Sequence, residues 1–173
     1  MGLMDHKARS ERGQALQAEV CAEVVAAAAT PFEESLRDFV YAEVWSRPGL
    51  DRRARYLVSL AGAVLAGADA ELVESYARGA LQGGHLSLRE LREAALHLAV
   101  YGGWSRGRQL DRAVTAAADA LGLPAADCPA IRGEDWDPEV RTREGMAEFT
   151  SVMTFPGGPS ATPYLEAINN FVF

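Results

Sequence analysis

Apolar residues along most of the chain recur every three or four positions, which is the spacing of amphipathic α-helices. In the third predicted helix, for example, Tyr56, Leu60 and Val64 fall on one stripe. No segment shows the two-residue alternation typical of a β-strand. The pattern and its flanking start and stop residues predict helices at 5–28, 31–45, 52–66, 70–82, 88–101 and 105–121. We therefore predict an all-α, compact six-helix domain whose short loops make most neighbouring helices antiparallel.

Capping residues mark several of the predicted helix starts. Thr30, Pro31 and Glu33 stand at the N-cap, first and third positions of the second helix, where these residue types are favoured. Ser87 and Glu90 predict a capping box at the start of the fifth helix, because each side chain can bond a free backbone N–H near the other residue. The other predicted N-caps are Asp51, Asp69 and Ser105.

The last third of the chain differs from the helical part. Residues 124–139 are rich in proline and acidic residues, as expected of a linker. After it, the sequence matches an earlier stretch without gaps, at the constant offset of 132 that separates Arg9 from Arg141. This match predicts internal duplication, and the alternative is chance similarity between two capped helices. The predicted segments are a helical domain at 1–123, a linker at 124–140 and a partial repeat of residues 9–41 at 141–173.

Composition and charge exclude some classes of partner. The 173 residues carry a formal net charge of −7, which argues against a general nucleic-acid or anionic-membrane binder. Cys21 and Cys128 form no C-x-x-C motif, and a reduced, cytosolic protein fits them best. Residues 1–9 are polar, unlike a signal peptide, and the longest alanine-rich run is too short to span a bilayer. We expect a cytoplasmic protein with neither nucleic acid nor membrane as a partner.

The fifth predicted helix carries the best candidate chemistry. Glu93, His97 and Tyr101 recur at four-residue spacing, so a carboxylate, an imidazole and a phenol share one helix face. No histidine or cysteine has the spacing of a metal site, and no phosphate-binding glycine loop is found in the sequence. We therefore expect acid–base chemistry without a metal or cofactor.

Two sequence blocks carry a likeness to a known family. Residues 43–55 read EVWSRPGLDRRAR, and a second block runs from RGALQGG at 78–84 to VYGG at 100–103. Together these blocks resemble the carboxymuconolactone decarboxylase family, and the likeness covers residues 9–122. The resemblance implies an all-α fold of the alkylhydroperoxidase-D-like type that assembles into homo-oligomers, either trimers or hexamers. Some family members carry two such domains in tandem, which agrees with the predicted repeat.

The resemblance also separates two branches of chemistry. The thiol peroxidase branch has a C-x-x-C and a following histidine, and these positions fall here on Ser105, Arg108 and Arg112. Since a disulfide-cycling peroxidase needs thiolates, this branch is disfavoured. The other branch decarboxylates and isomerises 4-carboxymuconolactone without a cofactor. This sequence differs from the usual motifs of that branch at two positions. It has Ser75 where the branch has histidine, and Ser105 where the branch has proline.

Decarboxylation beside a lactone carbonyl predicts roles for several residues. Arg47 and Arg55 are predicted to bind the substrate carboxylates through their guanidinium groups. Trp45 is predicted to be the apolar wall, and Glu93 and His97 the acid–base residues. The remaining predicted substrate-binding residues are Tyr101 and Ser105.

Each of these residues also has a purely structural interpretation. Arg47 has Glu43 or a loop carbonyl as an alternative partner, and Trp45 suits the core or a subunit interface. Glu93 has Arg89 or Arg92 as a salt-bridge partner one turn or less away. A packed, hydrogen-bonded residue is the more usual interpretation of both His97 and Tyr101, and an N-cap is the simplest interpretation of Ser105.

Two functional hypotheses follow. The first is a cofactor-independent carboxy-lyase, a decarboxylase or isomerase acting on a small carboxylated lactone or a related cyclic acid. The second is a non-catalytic oligomeric assembly module, which Ser75, Ser105 and the partial repeat at 141–173 favour. Turnover of a lactone distinguishes the two hypotheses.

Overall fold

The computed structural model describes residues 5–126, 128–131, 133, 135, 137–154 and 162–172. All regular secondary structure in these residues is helical, which confirms the all-α prediction. A π-helix, Leu36–Val44, directly follows the second α-helix. The α-helices are α1 (His6–Cys21), α2 (Pro31–Ser35), α3 (Arg52–Ala66), α4 (Ala70–Gln82), α5 (Leu88–Gly102), α6 (Trp104–Ala120), α7 (Pro138–Met153) and α8 (Pro163–Phe171).

The chain divides into two compact units, Met1–Cys128 and Pro129–Phe173. In the first unit α1 packs against the π-helix and α4, while α6 packs against both α4 and α5. The core of this unit is made of aliphatic and aromatic side chains whose burial stabilises the fold. Its largest fully buried side chains include Val20, Tyr41, Tyr56, Leu60, Val73, Leu91, Leu110 and Val114.

Most of the predicted caps are present. The Thr30 hydroxyl accepts a hydrogen bond from the Glu33 N–H at 3.2 Å, and the Glu33 carboxylate accepts from the Thr30 N–H at 3.2 Å. Ser87 and Glu90 form the second predicted capping box. Asp51 and Asp69 cap α3 and α4. Local sequence therefore determines where these four helices begin.

The first helix is shorter than predicted. It ends at Cys21 instead of residue 28, because Ala22 adopts a left-handed conformation with φ of 50°. Arg78 of α4 donates to the carbonyl of Cys21 at 3.4 Å and to that of Ala22 at 3.3 Å. Val24, which falls inside the helix predicted at 5–28, lies beyond the end of α1 and is fully exposed. A contact from a distant part of the chain therefore ends α1.

The prediction that Ser105 is the N-cap of the sixth helix is also wrong. Helix α6 begins one residue earlier, at Trp104, and Gly103 is its N-cap residue. Gly103 has φ of 93°, a conformation that glycine adopts readily, and its carbonyl accepts the N–H groups of Arg106 and Gly107. Ser105 therefore lies inside the first turn of α6.

The second predicted helix is continuous, but at Leu36 it changes from an α-helix to a π-helix, which has more residues per turn. The N–H of Trp45 bonds the carbonyl of Val40, five residues back, at 2.9 Å. In this wider helix, residues four apart lie closer to one line than in an α-helix. Tyr41 and Trp45 are consequently both buried, at 1% and 4% exposure.

Helix α1 lies very close to α4. The Cα of Gly79 faces the backbone carbonyl of Val20. A Cβ built on Gly79 would overlap the carbonyl oxygen of Val20 and lie 2.6 Å from the carbonyl carbon of Val20. The Tyr56 hydroxyl donates to the same Val20 carbonyl at 3.1 Å. These contacts fix the position of α1 relative to α3 and α4.

In the second unit, α7 packs against α8. Asp137 caps α7 and Thr162 caps α8, each through its side-chain oxygen. The bounds of α7 and the start of α8 follow those of α1 and α2 at the offset of the sequence repeat. These bounds are compatible with duplication, and the interpretation as a partial repeat stays a prediction. Throughout the described ranges, every helix is too short or too polar to cross a bilayer.

Candidate functional site

A cavity of about 460 Å³ lies between α1 and the turn that joins the π-helix to α3. We call it the arginine cavity. Its charged residues are Arg12, Glu19, Arg47, Asp51, Arg52 and Arg55. Its other lining residues are Ala15, Leu16, Trp45, Ser46 and Leu50. The cavity combines an apolar wall with four guanidinium groups, so it is suited to a small anionic molecule.

The turn that carries Arg47 is held by side chains on both sides. Arg55 donates to the carbonyl of Arg47 at 2.5 Å and to that of Leu50 at 3.1 Å. Ser46 donates to the carbonyl of Ala42 at 2.6 Å. Gly49 allows the reversal with φ of 98°. Arg55, which was predicted to bind substrate, holds this turn through its guanidinium and also lines the cavity.

Trp45 forms the inner wall of the cavity. Its ring packs edge-on against Tyr56 at 5.0 Å between centroids and lies 5.9 Å from the ring of Tyr76. The guanidinium of Arg52 lies 5.6 Å from the centre of the Trp45 ring. Arg52 also donates to the Trp45 carbonyl at 3.3 Å and pairs with Glu19 at 3.4 Å. Arg52 is therefore engaged with the protein, and Trp45 is both a core residue and a cavity wall.

Arg12 and Arg47 differ from the other two arginines of the cavity. Both are exposed, and neither guanidinium has a hydrogen bond or ion pair with any residue that the structure describes. Glu43, the alternative partner considered for Arg47, pairs with Arg9 at 3.5 Å. Two cations of the cavity are thus available to a ligand.

The predicted acid–base residues lie elsewhere on the first unit. Glu93, His97 and Tyr101 share an exposed face of α5, and the rings of His97 and Tyr101 lie 4.8 Å apart. Arg92, a predicted partner of Glu93, pairs with Asp111 at 2.6 Å instead. The structure confirms the common helix face. However, none of these three residues lines the arginine cavity of the same chain.

Ser105 lies neither in the arginine cavity nor on the exposed face of α5. It lines a cavity of about 380 Å³ between α4 and α6, together with Arg108 and Arg112. Of the seven predicted site residues, the structure brings together Trp45, Arg47 and Arg55. Their roles in substrate binding stay predictions.

Behind Trp45 lies a buried group of hydroxyls and a thiol. The Tyr41 hydroxyl lies 3.3 Å from the Cys21 sulfur and 3.5 Å from the Tyr76 hydroxyl. Burial raises the pKa of all three groups above their ordinary values, so they stay protonated at neutral pH. Ser75, which takes the place of the family's histidine, donates to the Leu72 carbonyl at 2.9 Å. This group supports the cavity wall and has no base for proton abstraction.

Three cavity residues were not predicted from the sequence, namely Arg12, Glu19 and Arg52. Arg12 and Glu19 lie two helical turns apart on one face of α1, with Leu16 between them. That pattern places them together but does not indicate which other element they face. Arg52 belongs to the block that carries the family likeness, three residues before Arg55, so its position on the same face was a usable signal.

The model of the carboxymuconolactone decarboxylase family matches residues 30–119. A nitrosuccinic acid decarboxylase from Metarhizium robertsii is 43% identical over 80 residues, which are 43% of this chain and 54% of that protein. A 4-carboxymuconolactone decarboxylase from Acinetobacter baylyi is 38% identical over 72 residues, which are 42% of this chain and 52% of that protein.

The chain thus spans about half the length of each of these curated relatives. No solved structure matches significantly. The match to the family model includes the complete turn from Trp45 to Arg55 and the α5 face. With more than half of its residues in that match, the chain belongs to the carboxymuconolactone decarboxylase family.

Proposed function

We propose that the protein is a cofactor-independent carboxy-lyase that removes CO₂ from a small carboxylated lactone or a related acid. The observation that carries this proposal is the arginine cavity, in which free cations face an apolar wall. Two relatives named as decarboxylases, one of nitrosuccinic acid and one of 4-carboxymuconolactone, support the reaction type. A lactone resembling 4-carboxymuconolactone is the substrate we propose to test first.

The two sides of the cavity suit the two ends of such a substrate. Arg47 binds the carboxylate that is retained, so this ion pair is present both before and after CO₂ leaves. The reacting carboxylate lies against Trp45 and Leu16. When its bond to carbon breaks, CO₂ leaves and the electron pair moves into the carbonyl that is conjugated with that carbon, which forms an enolate. The cations of the cavity then stabilise the enolate oxygen.

The enolate carbon must next receive a proton. We propose that Glu93 and His97 supply it, since a carboxylic acid and an imidazole on one helix face suit proton transfer. These residues lie on an exposed face outside the arginine cavity of their own chain. A second copy of the chain therefore has to bring its α5 face over the cavity. The trimer or hexamer implied by the family resemblance provides such a copy.

Turnover of 4-carboxymuconolactone, followed by ultraviolet absorbance, tests the acid–base assignment. Glu93→Gln keeps the size of the side chain and removes its proton, so we expect kcat to fall by about 100-fold or more with little change in KM. Arg143→Gln, at an exposed residue of α7 that is not part of the α5 face, is the control and keeps the wild-type rate. Equal rates for Glu93→Gln and wild type, or no turnover of any lactone, would contradict the proposal.

Mixed oligomers test whether two copies share one site. Glu93→Gln and Arg47→Gln chains, each strongly impaired alone, are co-expressed with different tags and purified through both, which removes unmixed oligomers. An intact Arg47 then meets an intact Glu93 at about a third of the interfaces in a trimer ring and at about a quarter in a hexamer ring, so we expect activity to recover to about these fractions of wild type. Mixed oligomers without any activity would show that the two residues do not act across copies.

A non-catalytic assembly role is the second candidate, and one observation favours it. Large apolar side chains of α3, α5 and the start of α6 are exposed, which is typical of a surface that binds another protein. They are Val58, Leu65, Val100, Tyr101 and Trp104. Analytical ultracentrifugation of Trp104→Asp tests this surface. A lower mass together with no turnover by the wild type supports assembly as the main function.

A further inference from the structure

We infer that Arg12 is a second substrate-binding residue and that, with Arg47, it makes the arginine cavity selective for molecules with two anionic groups. The inference rests on the proposed function in one respect, namely that the cavity binds the substrate. It assigns a role to a residue of α1, outside the part of the chain that matches the family model. It also explains how the cavity distinguishes a dicarboxylate from a monocarboxylate.

The charges that line the cavity are unequal. Four guanidinium groups stand against two carboxylates, those of Glu19 and Asp51. Glu19 pairs with Arg52 at 3.4 Å. Asp51 accepts the Ala54 N–H at 2.7 Å as the N-cap of α3, and it is the remaining anion near Arg55. The cavity therefore has two uncompensated positive charges, and a dianion neutralises both.

The two free cations come from different elements. Arg12 lies on α1, and Arg47 lies on the turn before α3, so the cavity has one free guanidinium on each of two walls. Ala15 and Leu16, one turn after Arg12, complete the α1 wall with apolar surface. Since the Gly79 contact fixes α1 against α4, the position of the Arg12 backbone is fixed relative to the rest of the cavity.

The proposed reaction preserves the charge that these cations bind. A substrate with two carboxylates carries two negative charges before the carbon–carbon bond breaks. CO₂ leaves as a neutral molecule, and its electron pair stays on the remaining fragment as an enolate. The fragment therefore keeps two negative charges until carbon is protonated. Arg12 can consequently stabilise both the bound substrate and the intermediate, and it need not oppose the reaction.

Binding of unreactive acids tests the inference without relying on catalysis. Isothermal titration calorimetry compares succinate, a dianion, with butyrate, a monoanion of the same chain length, on the full-length protein. We expect wild type to bind succinate about tenfold or more tightly than butyrate. Arg12→Gln should weaken succinate binding about five- to tenfold and leave butyrate binding unchanged, because it removes only the second contact. Arg47→Gln should weaken the binding of both acids.

The control is Arg143→Gln, which removes the same charge from an exposed residue of α7 outside the cavity. If Arg12→Gln and Arg143→Gln affect succinate equally, or if wild type does not prefer succinate, the inference is wrong. The proposed function has a separate outcome. Turnover that Arg47→Gln lowers and Arg12→Gln leaves unchanged overturns the role of Arg12 alone. Absence of turnover with selective succinate binding overturns the reaction and leaves the dianion site in place.

Discussion

Replacing Gly79 by alanine tests how closely α1 is held against α4. Gly79 lies in the interior of α4, where alanine is normally the better helix former by about 1 kcal/mol. At this position, however, the added Cβ would overlap the Val20 carbonyl oxygen and lie 3.0 Å from the Tyr56 hydroxyl. Neither neighbour is the free end of a flexible chain, because Val20 contributes backbone and the Tyr56 hydroxyl donates to it. Helix α1 therefore has to move away.

The expected cost follows from these contacts. Overpacking a rigid interior typically costs about 1 to 3 kcal/mol. Loss of the Tyr56–Val20 hydrogen bond adds about 1 kcal/mol. Subtracting the gain in helix propensity leaves a destabilisation of about 2 kcal/mol for Gly79→Ala. For a chain of this length, 1 kcal/mol changes Tm by roughly 2 to 4 °C, so we expect Tm to fall by about 6 °C.

Thermal unfolding followed by circular dichroism measures this effect, and Gly62→Ala is the matched control. Gly62 also lies inside a helix, but apart from the neighbouring backbone of that helix no atom of the described residues is found within 4 Å of its ideal Cβ. That variant should gain about 0.5 to 1 kcal/mol and melt at a slightly higher temperature. If Gly79→Ala melts at or above the wild-type temperature, as Gly62→Ala should, then α1 is not held against α4 as described.

Two further predictions concern acid stability and the turn of the cavity. Hydrogen bonds from Ser87 hold the pKa of Glu90 below its ordinary value of 4.5, and a hydrogen bond from Arg37 holds the pKa of Asp38 below 3.8. Their contribution is complete above the ordinary pKa values and is lost as pH falls from these values through the lowered pKa values of the folded state. Glu90→Gln and Asp38→Asn should therefore flatten the decline of Tm below about pH 5, and an unchanged decline contradicts this. Arg55→Lys loses the planar pair of nitrogens that bonds the two turn carbonyls, so KM should rise about fivefold while Tm falls by only a few degrees. A wild-type KM would show that the turn does not depend on Arg55.

The parts of the fold that sequence predicted are those determined locally. Thr30 with Glu33 and Ser87 with Glu90 begin their helices through side chains three residues apart, so a short stretch of sequence contains the complete interaction. The end of α1 depends instead on Arg78, more than fifty residues away in the chain. No local pattern contains that contact, and the predicted helix was therefore too long.

The same distinction applies to the candidate site. Trp45, Arg47 and Arg55 lie in one continuous block, so the sequence was able to group them. Arg12 reaches the same cavity only through the packing of α1, which helix periodicity does not describe. Periodicity placed Glu93 and His97 on one face of α5 but did not show that this face points away from the core.

The central claim is that the arginine cavity holds a carboxylated substrate while CO₂ is removed. The most direct measurement is CO₂ release from 4-carboxymuconolactone by wild type, Arg47→Gln and the control Arg143→Gln, each with kcat/KM. We predict release of CO₂ in proportion to the substrate consumed by wild type, a loss of kcat/KM of about tenfold or more in Arg47→Gln, and the wild-type value in Arg143→Gln. Substrate consumption without CO₂, or equal kcat/KM for the two variants, would contradict the claim.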